Sequence, residues 1–219
     1  MTLANTNRRT LITGSAAAFA AAALPAPVRA QAAPQALRLN IFGGTDAWPI
    51  YVIVAKQLLE PLGYTPSIVT TGGSVAQFQA MQNGSADVAL TALDNVVAYD
   101  EGQGDPAVTG TFDGAAFLGI SSGSNALLVR PDITSYAQLR GATLAVDAPN
   151  TGFSFVLRRM LQNNGVAPGS YSFVAVGNTQ KRFDAMVAGQ AVGAVVSTPF
   201  DLLGVQKYGF HVLGTALSV

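Results

Sequence analysis

Small hydroxyl and amide residues recur at one kind of place in this chain: just after an apolar strand and just before a helix. The clearest case is AVDAPNTGFSFVLRRML, Ala145 to Leu161. The apolar run Thr143 to Val146 stops at Asp147, a turn Asn150-Thr151-Gly152 follows, and a helix opens with Phe153 and Phe155. Asn150 and Thr151 can cap that helix with a side-chain oxygen. The same turn can aim the free N–H groups and positive dipole end of the helix at a polar or anionic ligand. Comparable residues follow the other strands: Thr45, Asp46 and Trp48; Gly73 and Ser74 within Thr71-Gly72-Gly73-Ser74; Thr91, Asp94 and Asn95; Gly177-Asn178-Thr179; and Ser197 and Thr198 ahead of Pro199. Trp48, Phe153, Phe155 and Phe200 can flank a bound solute, and Asp46 and Asp94 can meet a cationic group. Each residue also has a plainer reading. Asn150, Thr151, Ser74 and the two aspartates serve equally as helix caps. Phe153 lies on an apolar stripe and can simply pack, as can Trp48 beside Pro49. Gly72-Gly73 can supply turn geometry alone.

Chemistry of other kinds finds little support. There is no cysteine, which removes disulfides, thiolate metal sites and thiol nucleophiles together. The single histidine, His211 in YGFHVLG, reads as structural or exposed. No HExxH, GxSxG, GxGxxG or P-loop pattern occurs, so no catalytic residue, metal site or cofactor is expected. Lys+Arg and Asp+Glu each number 12, and a net charge of zero offers no field to recruit nucleic acid.

The elements that must position these turns follow from a repeat. TTGGSVAQFQAMQNGSADVALTALDN (Thr70 to Asn95) aligns with AVGNTQKRFDAMVAGQAVGAVVSTPF (Ala175 to Phe200). Phe78 falls on Phe183, Ala80-Met81 on Ala185-Met186, Gly84 on Gly189 and Gly72 on Gly177, each pair 105 residues apart. The offset continues backwards without a gap, from Leu39 to Leu144 and Trp48 to Phe153. Two βαβαβ units are therefore expected, about Leu37–Asn95 and Ala142–Phe200. Their strands are Leu37–Phe42, Pro66–Thr70, Val88–Thr91, Thr143–Val146, Ser172–Val176 and Gly193–Val196. The longer helices are Trp48–Leu62 and Thr151–Asn163, the shorter ones Gln77–Asn83 and Arg182–Ala188, with apolar residues at helical spacing. The segment AAFLGISSGSNALLVRP reads as one or two strands around the polar patch Ser121–Asn125, the candidate hinge. In open parallel sheets ligands sit outside the carboxyl ends of the strands. Two such units facing each other make an α/β fold with a cleft between two lobes.

The first residues read as a signal peptide: Arg8-Arg9, an apolar run Leu11 to Leu24, and small residues before a cleavage point after Ala30 or Ala32. The paired arginines resemble a twin-arginine signal, and an ordinary secretory signal fits as well. The apolar run is short for a membrane-spanning helix. The organisation is then a signal peptide over 1–32, a first lobe over 33–120, a hinge over 121–125 and a second lobe over 126–219.

The stretch LLVRPDITSYAQLRGATLAVDAPNTGFSFVLRRML resembles the second-lobe entry of type II periplasmic solute-binding proteins of ABC importers. RFDAMVAGQAVGAVVSTPFDLL and QAMQNGSADVALTA continue the resemblance in the two lobes, over about Leu37 to Leu213. The branch it resembles is the nitrate/sulfonate/taurine group with its thiamine-precursor-binding relatives. The resemblance implies a two-lobed periplasmic-binding-protein-like fold that traps a ligand by hinge closure. It implies a monomer in the periplasm that delivers a small organic solute to an ABC permease in the inner membrane. It also implies contacts from Thr45–Trp48, Gly72–Ser74, Thr91–Asn95, Asn150–Phe153, Ser197–Pro199 and the patch holding Ser122 and Asn125. The sequence departs from that family in two ways. Family members usually continue past a segment like KYGFHVLGTALSV and return to the first lobe, so the chain reads as truncated, with apolar first-lobe surface uncovered. None of the ligand turns holds Lys or Arg, which leaves sulfonates, nitrate-like anions, pyrimidines and aromatic compounds all open. A ligand-sensing partner of a membrane sensor kinase is the competing role, and a pyrimidine-synthase-like enzyme on the same fold a weaker one.

Overall fold

The computed structural model of the chain describes residues 33–110, 112–123 and 125–218. The expected signal peptide and its cleavage point lie outside the described residues. Strand β1 (Gln35–Ile41) lies between β2 (Tyr64–Thr70) and β3 (Val88–Leu90) in a three-stranded parallel sheet. The connections carry helices α1 (Trp48–Ala55) and α2 (Ser74–Gln82), and α3 (Leu93–Asp100) follows β3. The chain then runs to a second sheet, entered by β4 (Ala126–Val129). There β5 (Thr143–Val146), α4 (Gly152–Asn163), β6 (Ser172–Ala175), α5 (Thr179–Val187) and β7 (Gly193–Val196) repeat the parallel pattern. Helix α6 (Phe200–Tyr208) and β8 (His211–Thr215) complete a five-stranded sheet ordered β6-β5-β7-β4-β8, with β4 antiparallel to both neighbours.

The repeat holds at the level of register. Leu39 pairs with Ile68 on one side and Val88 on the other, and Leu144 pairs with Phe173 and Gly193. All three residues of the second set lie 105 positions after those of the first. A common strand order and register place the turn after each strand at the same edge of its sheet, which is the edge the ligand turns need.

The two cores differ in size. In the second lobe Leu127, Val129, Leu139, Leu144, Leu157, Met160 and Leu161 are buried together, and Phe183, Met186, Ala194 and Phe210 fill the other face of the sheet. The α4 stripe predicted from spacing supplies Leu157, Met160 and Leu161 to it. The first lobe buries Leu39, Ile41 and Ala47, with Ile50, Val54 and Ile68 partly covered. No residue of α1 is buried. Trp48, Val52, Leu58, Leu62, Leu93, Val97, Phe117 and Leu118 are exposed.

Three expectations change. The first helix was expected over Trp48–Leu62, and α1 stops at Ala55. Gln57 turns into the left-handed region (φ 53) and the Leu58 N–H reaches back to the Ile53 carbonyl. Pro61 brings no N–H and disfavours helical geometry in the residue before it. Leu58 and Leu62, whose spacing fits the apolar face of the expected helix, are exposed. Residues Phe117 to Gly123 form no strand, and only Ala126–Val129 of that segment pairs. Apolar composition there has no neighbouring edge to bond. Finally α3, α6 and β8 form where the sequence pattern predicts no element.

Candidate functional site

The cleft is built where strands end and helices begin. Thr151 precedes α4 in extended geometry (φ −132), and its hydroxyl donates to the Ala148 carbonyl (3.1 Å) instead of capping the helix. Ser154 Oγ donates to the same carbonyl. The first helical N–H, that of Gly152, therefore needs another acceptor. It donates to Asn95 Oδ1 of the first lobe (2.7 Å). Asn95 is 1% exposed, and its amide nitrogen donates to Ser74 Oγ and Thr91 Oγ1, both at 3.1 Å.

The reciprocal contact runs the other way. The N–H of Ser74, at the start of α2, donates to the Asp147 carboxylate at 3.0 and 3.3 Å. Each lobe thus places one side-chain acceptor on a helix start of the other, and a carboxylate at a helix N-terminus is favoured by the dipole. The lobes approach closely at Gly73. A Cβ there would lie 2.6 Å from Asp147 Oδ1. Backbone bonds complete the junction: Asn178 N–H to the Gly72 carbonyl (3.0 Å), and Thr45 N–H to the Thr198 carbonyl (3.4 Å).

Beside this junction lies a cleft of about 540 Å³, lined by Gly43, Gly44, Thr45, Trp48 and Thr70 from the first lobe and Asn178, Thr179, Gln180, Pro199 and Phe200 from the second. Trp48 is 67% exposed. Asn178 caps α5 by accepting from the Lys181 N–H (3.2 Å). Ser197 Oγ lies 3.4 Å from Thr179 Oγ1, and Thr198 Oγ1 donates to Asp201 (3.2 Å).

The residues singled out from sequence divide accordingly. Thr45 and Trp48 line the cleft, as does Phe200. Ser197 and Thr198 stand at its edge. Gly73, Ser74, Thr91, Asn95 and Thr151 belong to the interlobe junction. Asp94 adjoins it: its Oδ1 lies 2.5 Å from where a Gly152 Cβ would stand, and burial raises its carboxyl pKa above the ordinary value. Asp46 accepts from Ser121 Oγ (2.7 Å). Asn150 is half-buried, Ser122 is exposed, and Asn125 bonds Gly123 and Ala216 by its backbone. Phe153 packs edge-on against Phe42 (5.7 Å) and under the Arg182 guanidinium (3.9 Å).

Two residues escaped the sequence reading. Asp147 was taken only as the end of a strand. Arg182 was taken as the first residue of a helix, and is 0% exposed. Its Nε donates to the Val195 carbonyl (3.0 Å), Nη1 to the Gly177 carbonyl (2.8 Å) and Nη2 to Thr179 Oγ1 (2.9 Å). Burial lowers its pKa to about 10, and the nearby Asp147 charge works in the opposite direction. The signal for Arg182 is its spacing: it shares the apolar stripe of Phe183 and Met186, where a charge is out of place. Among the described residues no cluster of His, Asp or Glu could hold a metal ion.

Residues 45–204 match the family model described as "ABC transporter, phosphonate, periplasmic substrate-binding protein". Among curated proteins, no sequence matches the chain. Solved structures share the fold at low identity. The alkanesulfonate-binding protein of Xanthomonas axonopodis bound to MOPS is 16% identical with a TM-score of 0.64, over 84% of this chain and 62% of that one. The periplasmic nitrate-binding protein of Synechocystis is 14% identical with a TM-score of 0.65, over 83% and 51%. A binding component of a phosphonate ABC transporter from Pseudomonas aeruginosa is 13% identical with a TM-score of 0.54, over 83% and 65%. The chain thus spans about three fifths of the alkanesulfonate-binding protein's length and half that of the nitrate-binding protein.

Proposed function

The chain belongs to the family of periplasmic substrate-binding proteins of phosphonate ABC transporters, and we propose that it captures a small anionic solute of the phosphonate, sulfonate or nitrate class in the cleft between its lobes. The observation that carries this reading is the cleft wall itself. Trp48 and Phe200 supply apolar sides, Thr45, Asn178, Thr179 and Gln180 supply polar groups, and the buried cation Arg182 stands one hydrogen bond behind Thr179. Among the open ligand classes, an anion is the one that a buried cation behind the cleft wall favours. Its role is capture and delivery, with no bond made or broken.

The remaining parts follow from the same reading. The signal peptide takes the chain to the periplasm, and the loaded monomer docks on an ABC permease of the inner membrane. Segment 121–125 serves as the hinge. Its support is that the chain passes from the first sheet to the second between α3 and β4, and that Ser121 bonds Asp46 across that passage.

The chain has one tryptophan, and it lines the cleft, so Trp48 fluorescence reports directly on occupancy. The test is titration of the full chain with methylphosphonate, methanesulfonate, nitrate, cytosine and benzoate, alongside thermal melts. Saturable quenching by an anion, with a rise in melting temperature, supports the reading. Saturation by cytosine alone overturns the anion assignment, and a cooperative melt that none of the five shifts counts against solute capture.

A further inference from the structure

The two halves of the chain provide an internal comparison for Arg182. Its equivalent in the first lobe, 105 positions earlier, is Gln77. Both side chains are 0% exposed. Both tie a helix to the strand after it: Gln77 Nε2 donates to the Leu90 carbonyl (3.0 Å) and Arg182 Nε to the Val195 carbonyl (3.0 Å), acceptors that are themselves 105 apart. A neutral amide therefore does this structural job in one lobe. The second lobe does it with a cation, although burying a charge costs more than burying an amide.

The extra charge lies one hydrogen bond from the cleft wall. Among the described residues no carboxylate lies within ion-pair distance of Arg182. Asp147 is the acid close enough to favour its charged form, and that carboxylate accepts from the Ser74 N–H. The other two guanidinium nitrogens reach Gly177 and Thr179, and Thr179 lines the cleft. Because Thr179 Oγ1 accepts from Arg182, its own proton is free to point toward Ser197 Oγ (3.4 Å) or into the cleft. The Phe153 ring closes the remaining face of the guanidinium at 3.9 Å and fixes its plane.

We propose that Arg182 is a positioning residue that sets the cleft's preference for an anion, acting through Thr179 and Gly177 without touching the solute. The inference rests on the capture of an anion in this cleft. Its positive charge offsets the buried Asp147, and it orients a hydroxyl as a donor. With the cation removed, Asp147 stands uncompensated beside the cleft and repels an anionic solute while leaving a neutral one of the same shape unaffected.

The test compares full-chain wild type, Arg182→Gln and Arg182→Lys. Glutamine is the residue that the first lobe carries, and lysine keeps the charge. Methanesulfonate and methylphosphonate are titrated against the neutral isostere methanesulfonamide by Trp48 fluorescence, with a thermal melt of each protein. Arg182→Gln is expected to weaken anion binding roughly tenfold or more and leave methanesulfonamide unchanged, whereas Arg182→Lys stays within about threefold of wild type. An unchanged ratio of anion to neutral affinity in folded Arg182→Gln overturns the proposal. If Arg182→Gln does not melt cooperatively, Arg182→Lys decides: a retained anion preference supports the charge, and a lost preference in a folded protein overturns it. A wild type that prefers neither anion over methanesulfonamide refutes anion capture before any variant is measured, and this inference with it.

Discussion

The contact between the Asp147 carboxylate and the start of α2 should govern how readily the lobes close. Asp147→Ala removes the acceptor from the Ser74 N–H, leaving a helix start without its cross-lobe partner. Losing a cap of this kind costs about 1 kcal/mol. The charge at the helix N-terminus adds up to about 1 kcal/mol more where it is partly shielded from water, as it is at 5% exposure. A total of about 2 kcal/mol corresponds to about thirtyfold in an equilibrium constant. Because the donor and acceptor sit in different lobes, that loss falls on closure; the buried Arg182 of the second lobe also loses its nearby acid, which lowers the stability of that lobe. Affinity for a captured solute scales with the closed fraction, so affinity for a neutral solute, on which the lost Asp147 charge does not act, should weaken by up to about thirtyfold, with a fall in melting temperature as well. The assay is titration of the full chain with the neutral methanesulfonamide, read by Trp48 fluorescence, with radius of gyration from small-angle scattering as the measure of opening. Unchanged affinity in a folded Asp147→Ala protein, or a drop in melting temperature without loss of affinity, would refute the reasoning.

Gly73→Ala attacks the same junction by volume. Gly73 has extended backbone geometry, so alanine adds no backbone strain, but its Cβ would meet Asp147 Oδ1 at 2.6 Å and the Gly177 Cα at 3.4 Å. Overpacking of this size costs about 2 kcal/mol, and scattering should show a more open particle with weakened binding; a particle of wild-type dimensions counts against it. A different prediction concerns acid stability. The Arg38 side chain donates to both oxygens of Asp87 (2.6 and 2.9 Å) and holds its carboxyl at about 2, below the ordinary 3.8. A depressed pKa in the folded state means a contribution fully present above about pH 4 and lost as the pH falls toward about 2. Asp87→Asn should therefore lower the melting temperature at neutral pH and flatten its dependence between about pH 4 and about pH 2. Parallel wild-type and variant curves across that window would show that the pair contributes nothing.

Much of the architecture was legible because it repeats. A gapless offset through Leu39 and Leu144, Phe78 and Phe183, and Gly84 and Gly189 foretold two parallel units, and the shared register of Leu39 and Leu144 follows from it. The stripe of α4 foretold its buried face. What failed was local. The spacing of Val52, Leu58 and Leu62 resembles a helix stripe, but the turn at Gln57 ends α1 after Val52 and before the two leucines. Phe117 and Leu118 look strand-forming and have no edge to join. At the site, residue types were legible and partners were not. Thr45, Trp48 and Phe200 reach the cleft, while Ser74, Asn95 and Thr151 are drawn into contacts between the lobes. Those bonds join residues 73 and 57 positions apart, a separation no spacing rule covers. Arg182 was hidden for a related reason: its burial depends on the strands packed over it.

Three positions where the repeat changes residue type bear on how two similar halves make one asymmetric junction. Asp147 corresponds by the offset to Phe42, and Asn95 to Phe200. In each pair one lobe carries a polar acceptor and the other an aromatic ring. The acceptors, Asp147 and Asn95, go to the helix starts across the junction. The rings take the apolar positions, Phe42 against Phe153 and Phe200 on the cleft wall. Perfect symmetry would have put two like groups at equivalent places. Two carboxylates would leave twice the buried charge to compensate, and two rings would leave both helix N-termini without an acceptor. The third exchange, Gln77 against Arg182, puts a buried cation in the same lobe as the buried Asp147. The repeat thus builds the frame, and these three exchanges set the two lobes apart at their junction.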